Sequence, residues 1–402
     1  MKKRYIMTTI ALMLLTATVT YGATFYLSKQ SYDNKIGELN KRAEEYAKIS
    51  EVQNYIEKYY VNDYEESDLT DGAAAGMVAY LGDKWSYYLN AEQFAALSDS
   101  LNNKLVGIGV SVAYDADSGG ILVYEVYQNS PAEKAGLLPL DVIVAVDGTA
   151  VSELGYDAAV NKVRGEEGTA VSLKAYRASA KQNLEFNIVR QNVQIESVRS
   201  QILDGNIGYV KIRSFDLNVD KSFIEAVQNL QKANVKGIIF DVRNNPGGSL
   251  QSLVKSLDIL LPEETIISER DKAGKETVFT SDANEVNLPM AVLVNEHSIS
   301  AAEFFASSLQ EHGKAVVIGM PTTGKGCAQE PIQLKDGSGM MLSTQKYFTA
   351  KGVSLAEAGG IKPDQQVELT EEELARFYRL TPKEDRQIQA AVAAIEAKLQ
   401  QG

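Results

Sequence analysis

Gly237-Ile238-Ile239-Phe240-Asp241-Val242 runs directly into Arg243-Asn244-Asn245-Pro246-Gly247-Gly248-Ser249, and Met290-Ala291-Val292-Leu293-Val294 runs into Asn295-Glu296-His297-Ser298-Ile299-Ser300-Ala301-Ala302-Glu303. Each begins as a short, unbroken apolar run rich in β-branched residues and continues through turn chemistry into helix-forming sequence. That is how a buried parallel strand feeding a helix reads. Pro246 forces Asn245 to be extended, and the two glycines after it permit a tight turn. The alternation extends outward on both sides. Strands are predicted over 208–212 and 316–318, with helices near 221–233, 250–261 and 300–310, which makes 191–369 a layered α/β core.

The whole chain has 402 residues, 45% of them apolar and 23% charged, enough for several domains with their own cores. Forty Lys and Arg against 53 Asp and Glu leave a formal charge of −13. With no local basic patch, this argues against nucleic acid as a partner. One cysteine, Cys327, forms no intramolecular disulfide, and two histidines, His297 and His312, leave little for a zinc site, so no metal and no cofactor is expected.

Lys2, Lys3 and Arg4 precede an uncharged stretch over 5–27, which as a helix would reach roughly 34 Å and cover a bilayer core. The basic cluster puts the short tail in the cytoplasm and the rest of the chain outside. Residues 1–30 therefore read as a single-pass membrane anchor, the alternative being a cleaved signal peptide and a secreted product. Residues 31–103 form an N-terminal helical region, with helical periodicity through Val52, Tyr55, Ile56, Tyr59 and Tyr60 and an alanine-rich piece ended by Gly82-Asp83. The tail, 370–402, closes on an amphipathic helix over 382–399.

Between helices and core, short alternating runs over 105–112, 121–126, 142–146, 171–176 and 184–189 make 104–190 a small β-rich domain. Gly107-Ile108-Gly109-Val110 enters its first strand with backbone amides that can face an anion. Ser130-Pro131-Ala132-Glu133-Lys134-Ala135-Gly136-Leu137 and Asp141-Val142-Ile143-Val144-Ala145-Val146-Asp147-Gly148 follow. With these blocks the segment resembles a PDZ domain, whose glycine loop takes a ligand's C-terminal carboxylate while the peptide adds to a sheet edge. Leu140 stands where that family often has glycine.

The amides at the start of the helix after Pro246-Gly247-Gly248 suit an oxyanion or a phosphate equally. Ser300 with Glu303 three residues later is a capping box, and a serine so placed also stands exposed at the end of a buried strand, with the Ala301 N–H beside it. A serine nucleophile needs a base. His297 shares its turn, and His312 sits at a helix end. Lys325, in Thr323-Gly324-Lys325-Gly326-Cys327-Ala328-Gln329, is flanked by glycines and can be desolvated, which lowers its pKa toward neutrality. In an extended chain Lys325, Cys327 and Gln329 share one face.

Taken together these residues resemble the carboxy-terminal processing peptidases, or tail-specific proteases, from about 52 to 367. The resemblance implies a nucleophile at Ser300, a general base at Lys325, an assisting Gln329, and oxyanion donors at the N–H groups of Ala301 and Gly247. It also implies carboxylate capture at Gly107, Ile108, Gly109 and Val110. The expected protein is a multidomain α/β and β chain: an endopeptidase whose PDZ gate passes flexible, unfolded C-termini to Ser300. A second copy or a regulatory partner is left open. Ile299, Ala302 and Cys327 depart from the family pattern. Two rival readings remain. A non-catalytic PDZ scaffold is one; a nucleotide hydrolase is the other, since Gly319-Met320-Pro321-Thr322-Thr323-Gly324-Lys325 fills the first seven positions of a P-loop, although Gly326 replaces the magnesium-binding Ser or Thr.

Overall fold

The structure is a computed structural model of the chain, described for residues 2–101, 106–193 and 196–401. It divides into two compact units, Met1–Gly82 and Asp83–Gly402. The first holds helices α1 (Lys2–Glu45), α2 (Ala47–Tyr59) and α3 (Glu66–Ala79). Among the described residues no helix is long and apolar enough to cross a membrane. The anchor expected at 1–30 falls partly on residues 1–4, 6 and 8–11, whose side chains lie outside the described set. The apolar face predicted for the second helix is present but uncovered: α2 buries none of its residues, and Val52, Tyr55 and Tyr59 are exposed.

The second unit opens with strand β1 (Tyr87–Leu89) and helix α4 (Ala91–Leu101). The β-rich domain follows. Strands β2 (Val106–Gly107), β3 (Val110–Asp115) and β4 (Gly120–Val126) lead to helix α5 (Pro131–Lys134), β5 (Val142–Val146), β6 (Thr149–Ala150) and helices α6 (Val151–Leu154) and α7 (Tyr156–Val163). Strands β7 (Ala170–Arg177), β8 (Gln182–Val189) and β9 (Gln191–Asn192) complete it. The sheet order is β3-β4-β5-β7-β8, so β3 is an edge strand, and α7 packs near it over a core of Ile121, Val123, Ile143, Val171 and Leu173. The alternating burial of β7 is what a sheet with one solvated face requires.

The core carries β10 (Val198–Leu203), β11 (Ile207–Ile212), α8 (Val219–Lys232), β12 (Ile238–Asp241), α9 (Leu250–Asp258), β13 (Thr265–Asp271) and β14 (Glu276–Thr280). After them come β15 (Met290–Val294), α10 (Ala301–Glu311), β16 (Ala315–Gly319), β17 (Cys327–Gln333) and β18 (Gly339–Thr349). The chain ends with α11 (Leu355–Ala358), β19 (Gln365–Gln366), α12 (Glu371–Ala375) and α13 (Arg386–Gln401). One sheet has the order β10-β11-β12-β15-β16-β19, parallel from β11 onward. Every residue of β12 and β15 is buried, because helices cover both faces of these central strands. Phe223, Phe240, Phe304 and Phe305 fill one face, while Ile388, Ala391 and Ile395 of α13 cover the other. A second sheet, β1-β18-β13-β14 with β17 on β18, packs beyond the first core. Sequence periodicity leaves this second sheet largely unassigned, because it is built from distant segments such as Tyr87 opposite Met341.

Candidate active site

The residues singled out by the sequence follow the carboxyl ends of three neighbouring parallel strands, β12, β15 and β16, the edge where open α/β sheets place their sites. After β12 the chain turns through Asn245, which is fully buried. Its Nδ2 donates to the Ile212 carbonyl at 2.9 Å, and its own carbonyl accepts from Ile299 N at 2.9 Å, which joins the two turns. Gly247 adopts φ +96, and a Cβ there would lie 3.0 Å from Ser300 Cβ and 3.1 Å from Ala301 N. Only a glycine lets the backbone come this close.

Ser300 stands at φ 55, ψ −118, outside the ordinary regions for a residue with a Cβ. No glycine flanks it at two residues on either side, but Ser298 and Ala302 occupy those places, small and fully buried. Ser298 Oγ donates to the Val242 carbonyl at 2.8 Å, tying the Ser300 turn to the strand before the glycine turn. The Ala301 N–H begins α10 and has no hydrogen-bond partner among the described residues.

The other expected oxyanion donor needs correction. The Gly247 N–H donates to Asn245 Oδ1 at 2.8 Å, so the buried amide side chain consumes it. The adjoining Gly248 N–H has no hydrogen bond among the described residues. Phe215 approaches this glycine so closely that a Cβ would meet its carbonyl oxygen at 2.4 Å.

Lys325 is half-buried, and its ammonium donates to Gln329 Oε1 and lies 4.7 Å from the Trp85 ring centroid. Burial pushes the amine's pKa down, against the pull of Cys327, Asp83 and Glu303. Gln329 is oriented in turn by donating Nε2 to the Trp85 carbonyl. The flanking glycines serve close backbone packing: Cβ atoms at 324 and 326 would lie 2.8 Å from Gly360 N and 2.9 Å from Ala356 N, so glycine lets the loop lie against 355–360. Among the described residues no hydrogen bond joins the Ser300 hydroxyl to Lys325. His297 is 67% exposed beside Glu296, and His312 Nε2 pairs with the Thr265 carbonyl, so neither faces the serine as a base would.

Two residues missed in the sequence organise this arrangement. Glu303, fully buried, accepts at Oε2 from Ser300 N (2.8 Å) and Lys325 N (2.9 Å), and at Oε1 from Gly324 N (2.7 Å) and Thr322 Oγ1 (2.5 Å). Its signal was present as the capping-box glutamate, but its reach to the lysine loop was not. Trp85, after Gly82-Asp83-Lys84, had no signal of its own. The P-loop reading fails on structure as well: Gly319 ends β16 with its Cα against the Val294 carbonyl, and strand β17 follows Lys325 where a helix is required. Among the described residues no group of three or more His, Cys, Asp or Glu side chains converges as metal ligands would.

In the β-rich domain, Gly109 adopts φ +81, and its Cα packs against Ser130 too closely for any Cβ, at 2.3 Å. The Ile108 and Gly109 carbonyls accept from Ala132 N (2.8 Å) and Tyr127 N (3.0 Å). Because a trans peptide points its N–H opposite its C=O, the amides of Gly109 and Val110 face away from α5 and β4. A small cavity of about 80 Å³ lies there, between the loop, the β3 edge and α7, with Val112, Val160, Val163 and Arg164 among its lining.

Comparison with known proteins agrees with this architecture. Residues 206–367 match the peptidase family S41 description, 105–188 match a PDZ domain, and 12–93 match the N-terminal domain of the activating protease CtpB. Fold and matches together define a serine peptidase that carries a PDZ domain. The carboxy-terminal processing protease CtpA of Bacillus subtilis (strain 168) is 33% identical over 370 residues, covering 89% of this chain and 76% of its own. A carboxyl-terminal-processing protease of Synechocystis sp. is 32% identical over 84% of this chain and 79% of its own. The solved photosystem II D1 C-terminal processing protease superposes with TM-score 0.50 at 29% identity, covering 79% of this chain and 85% of that one. The chain belongs to the carboxy-terminal processing proteases of peptidase family S41.

Proposed function

We propose that this chain is a tail-processing endopeptidase in which Ser300 is the nucleophile and Lys325 the general base. The PDZ groove takes the free carboxylate of a flexible polypeptide on the amides of Gly107, Ile108, Gly109 and Val110, with Arg164 near the same cavity. The edge of β3 pairs with the extended tail, as expected for relatives named for carboxy-terminal processing. Neutral Lys325 accepts the Ser300 proton as Oγ attacks the scissile carbonyl. The N–H groups of Ala301 and Gly248 stabilise the oxyanion. The lysine then returns the proton to the leaving amine, and water activated by the same amine hydrolyses the acyl-enzyme.

The observation that carries this reading is Glu303, one buried carboxylate holding the Ser300 amide and the Lys325 amide together. In the geometry described here the amine rests on Gln329 and Trp85, so it must swing toward the serine for catalysis. We further propose that the apolar run over 5–27 anchors the enzyme, with its catalytic part outside the cytoplasm. The deciding experiment is digestion of an unfolded protein ending in apolar residues by wild type, Ser300→Ala and Lys325→Ala. Both variants are expected to be inactive, and cleavage retained in either defeats the dyad.

A further inference from the structure

Trp85 is the one tryptophan of the chain. It reaches the lysine from the turn before β1, far from Lys325 in sequence, and touches the site twice. Its carbonyl accepts from Gln329 Nε2, which orients the amide that the lysine bonds, and its indole centroid lies 4.7 Å from Lys325 Nζ. The turn that delivers the ring is pinned. Asp83 accepts from Trp85 N at 3.0 Å and from Ser86 Oγ at 2.6 Å, and Ser86 Oγ accepts in turn from Ser343 N of β18 at 3.0 Å. From Tyr87 onward β1 pairs with β18. The indole is therefore fixed to the second sheet, which β17 joins just after Lys325, and not to the Ser300 turn.

The two partners of the amine treat its protonation states differently. Gln329 Oε1 can accept from an ammonium or from a neutral amine, which keeps N–H groups, so this bond survives deprotonation. An aromatic face attracts the cation through its quadrupole, and indole does so best; the uncharged amine feels no such pull. The charged and titratable groups around the amine are Asp83 and Lys84 from the same turn, Cys327 from β17 and Glu303 from α10. Asp83, Glu303 and a Cys327 thiolate favour the ammonium, against a burial that disfavours it. Lys84 Nζ also lies 4.7 Å from the indole centroid, but Lys84 is exposed and keeps its water, whereas Lys325 is half-buried. A cation–π contact is stronger when desolvated, so the preference of this ring for a cation weighs most on Lys325.

We propose that Trp85 is a positioning residue for the base: its indole face holds Lys325 beside Gln329 as the ammonium and lets it go as the free amine, so that losing the proton sends the amine toward Ser300. This rests on the Ser300 and Lys325 reading above. Proton loss then acts twice, freeing the lone pair that accepts the serine proton and removing the attraction that keeps the amine away from the serine.

Because the chain has a single tryptophan, a tryptophan-auxotrophic host fed mono-, di- or trifluorinated tryptophan changes this ring and no other. Each fluorine weakens the quadrupole and leaves the shape of the indole nearly intact. The full chain is assayed for kcat/KM against pH on an unfolded protein. Weakening the hold on the ammonium lowers the pKa of the lysine, so the acid-side limb is expected to move to lower pH in the order of fluorination. The total shift is about 0.4 to 1.5 pH units, the equivalent of an ordinary cation–π contact. The alkaline plateau should stay within about twofold of wild type, since the neutral amine is not held by the ring. A second readout needs no turnover: in Ser300→Ala the Trp85 fluorescence should titrate at the pH of the wild-type limb. Adding Lys325→Met should abolish that transition, and adding Lys84→Met should leave it. A limb that ignores fluorination overturns the proposal, as does a plateau that falls while the limb stays, which is what lost packing alone would give. So does a fluorescence transition that survives Lys325→Met. Turnover by Ser300→Ala, or a wild type with no acid limb, defeats the dyad and the proposal with it.

Discussion

Glu303 illustrates how much depends on one carboxylate. A polar group left without partners in a protein interior is costly, yet four donors and the start of α10 surround this one. Glu303→Gln keeps the size but turns one acceptor into a donor that faces N–H groups. Losing two hydrogen bonds to a charged acceptor is expected to cost at least about 3 kcal/mol in a thermal melt and to lower kcat with little change in KM. Wild-type kcat in this variant would mean that the carboxylate does not set the serine and lysine loops. Lys325 carries the pH prediction. Because burial lowers its pKa, the amine sheds its proton below the roughly 10.4 of a free lysine, and kcat/KM should climb with pH through a limb on the acid side of that value. A profile flat from neutral to alkaline pH would exclude it as the base.

At the level of elements, the two strand-to-helix turns work as one piece, tied by Asn245 to Ile299 and by Ser298 to Val242. Gly247→Ala would place a methyl group 2.7 Å from the Ile299 carbonyl and against the Ala301 amide, at a φ that alanine resists. Steady-state assays are expected to show kcat reduced by about 10² or more, the loss typical of displacing an oxyanion donor, here the proposed Ala301 N–H and not the Gly247 N–H, with the chain still folded. The end of β12 depends on α13 for a different reason. Asp241 and Asp385 flank Arg243 in a buried cluster, and Arg243 and Lys211 hold Asp241 far below the usual carboxylate range despite its burial. Asp385→Asn leaves the guanidinium short of a charge partner and should lower stability by about 3–5 kcal/mol in denaturant titration. Because the depressed folded pKa stabilises the chain above the ordinary carboxylate range, the Asp241 contribution persists at neutral pH and disappears only in strong acid.

For the molecule as a whole, a peptide-reading domain and a catalytic sheet share one compact unit, Asp83–Gly402. Substrates with an amidated C-terminus are expected to bind the PDZ groove at least about tenfold more weakly than the free acid, since a charge-assisted set of amide contacts is lost. Equal binding of both forms would remove carboxylate capture. If the run over 5–27 is an uncleaved anchor, the expressed chain stays in the membrane pellet through alkaline carbonate extraction, and a chain beginning at residue 31 does not. Release into the supernatant of a chain shortened by its N-terminal segment would leave a secreted enzyme.

Strands β12 and β15, the helices after them and the β-rich middle were legible because local patterns declare them: unbroken apolar runs, proline followed by paired glycines, a serine three residues before a glutamate. Ser300, Lys325 and Gln329 are proposed for their roles because the short motifs around them resemble those of the family. What the primary structure could not disclose depends on segments far apart along the chain. Trp85 sits against Lys325, and Glu303 joins two loops. Asn245 takes the Gly247 amide. Periodicity reports which face of an element is buried, never which distant side chain it meets; that is decided by how the sheets close and by the need of each buried polar group for a partner.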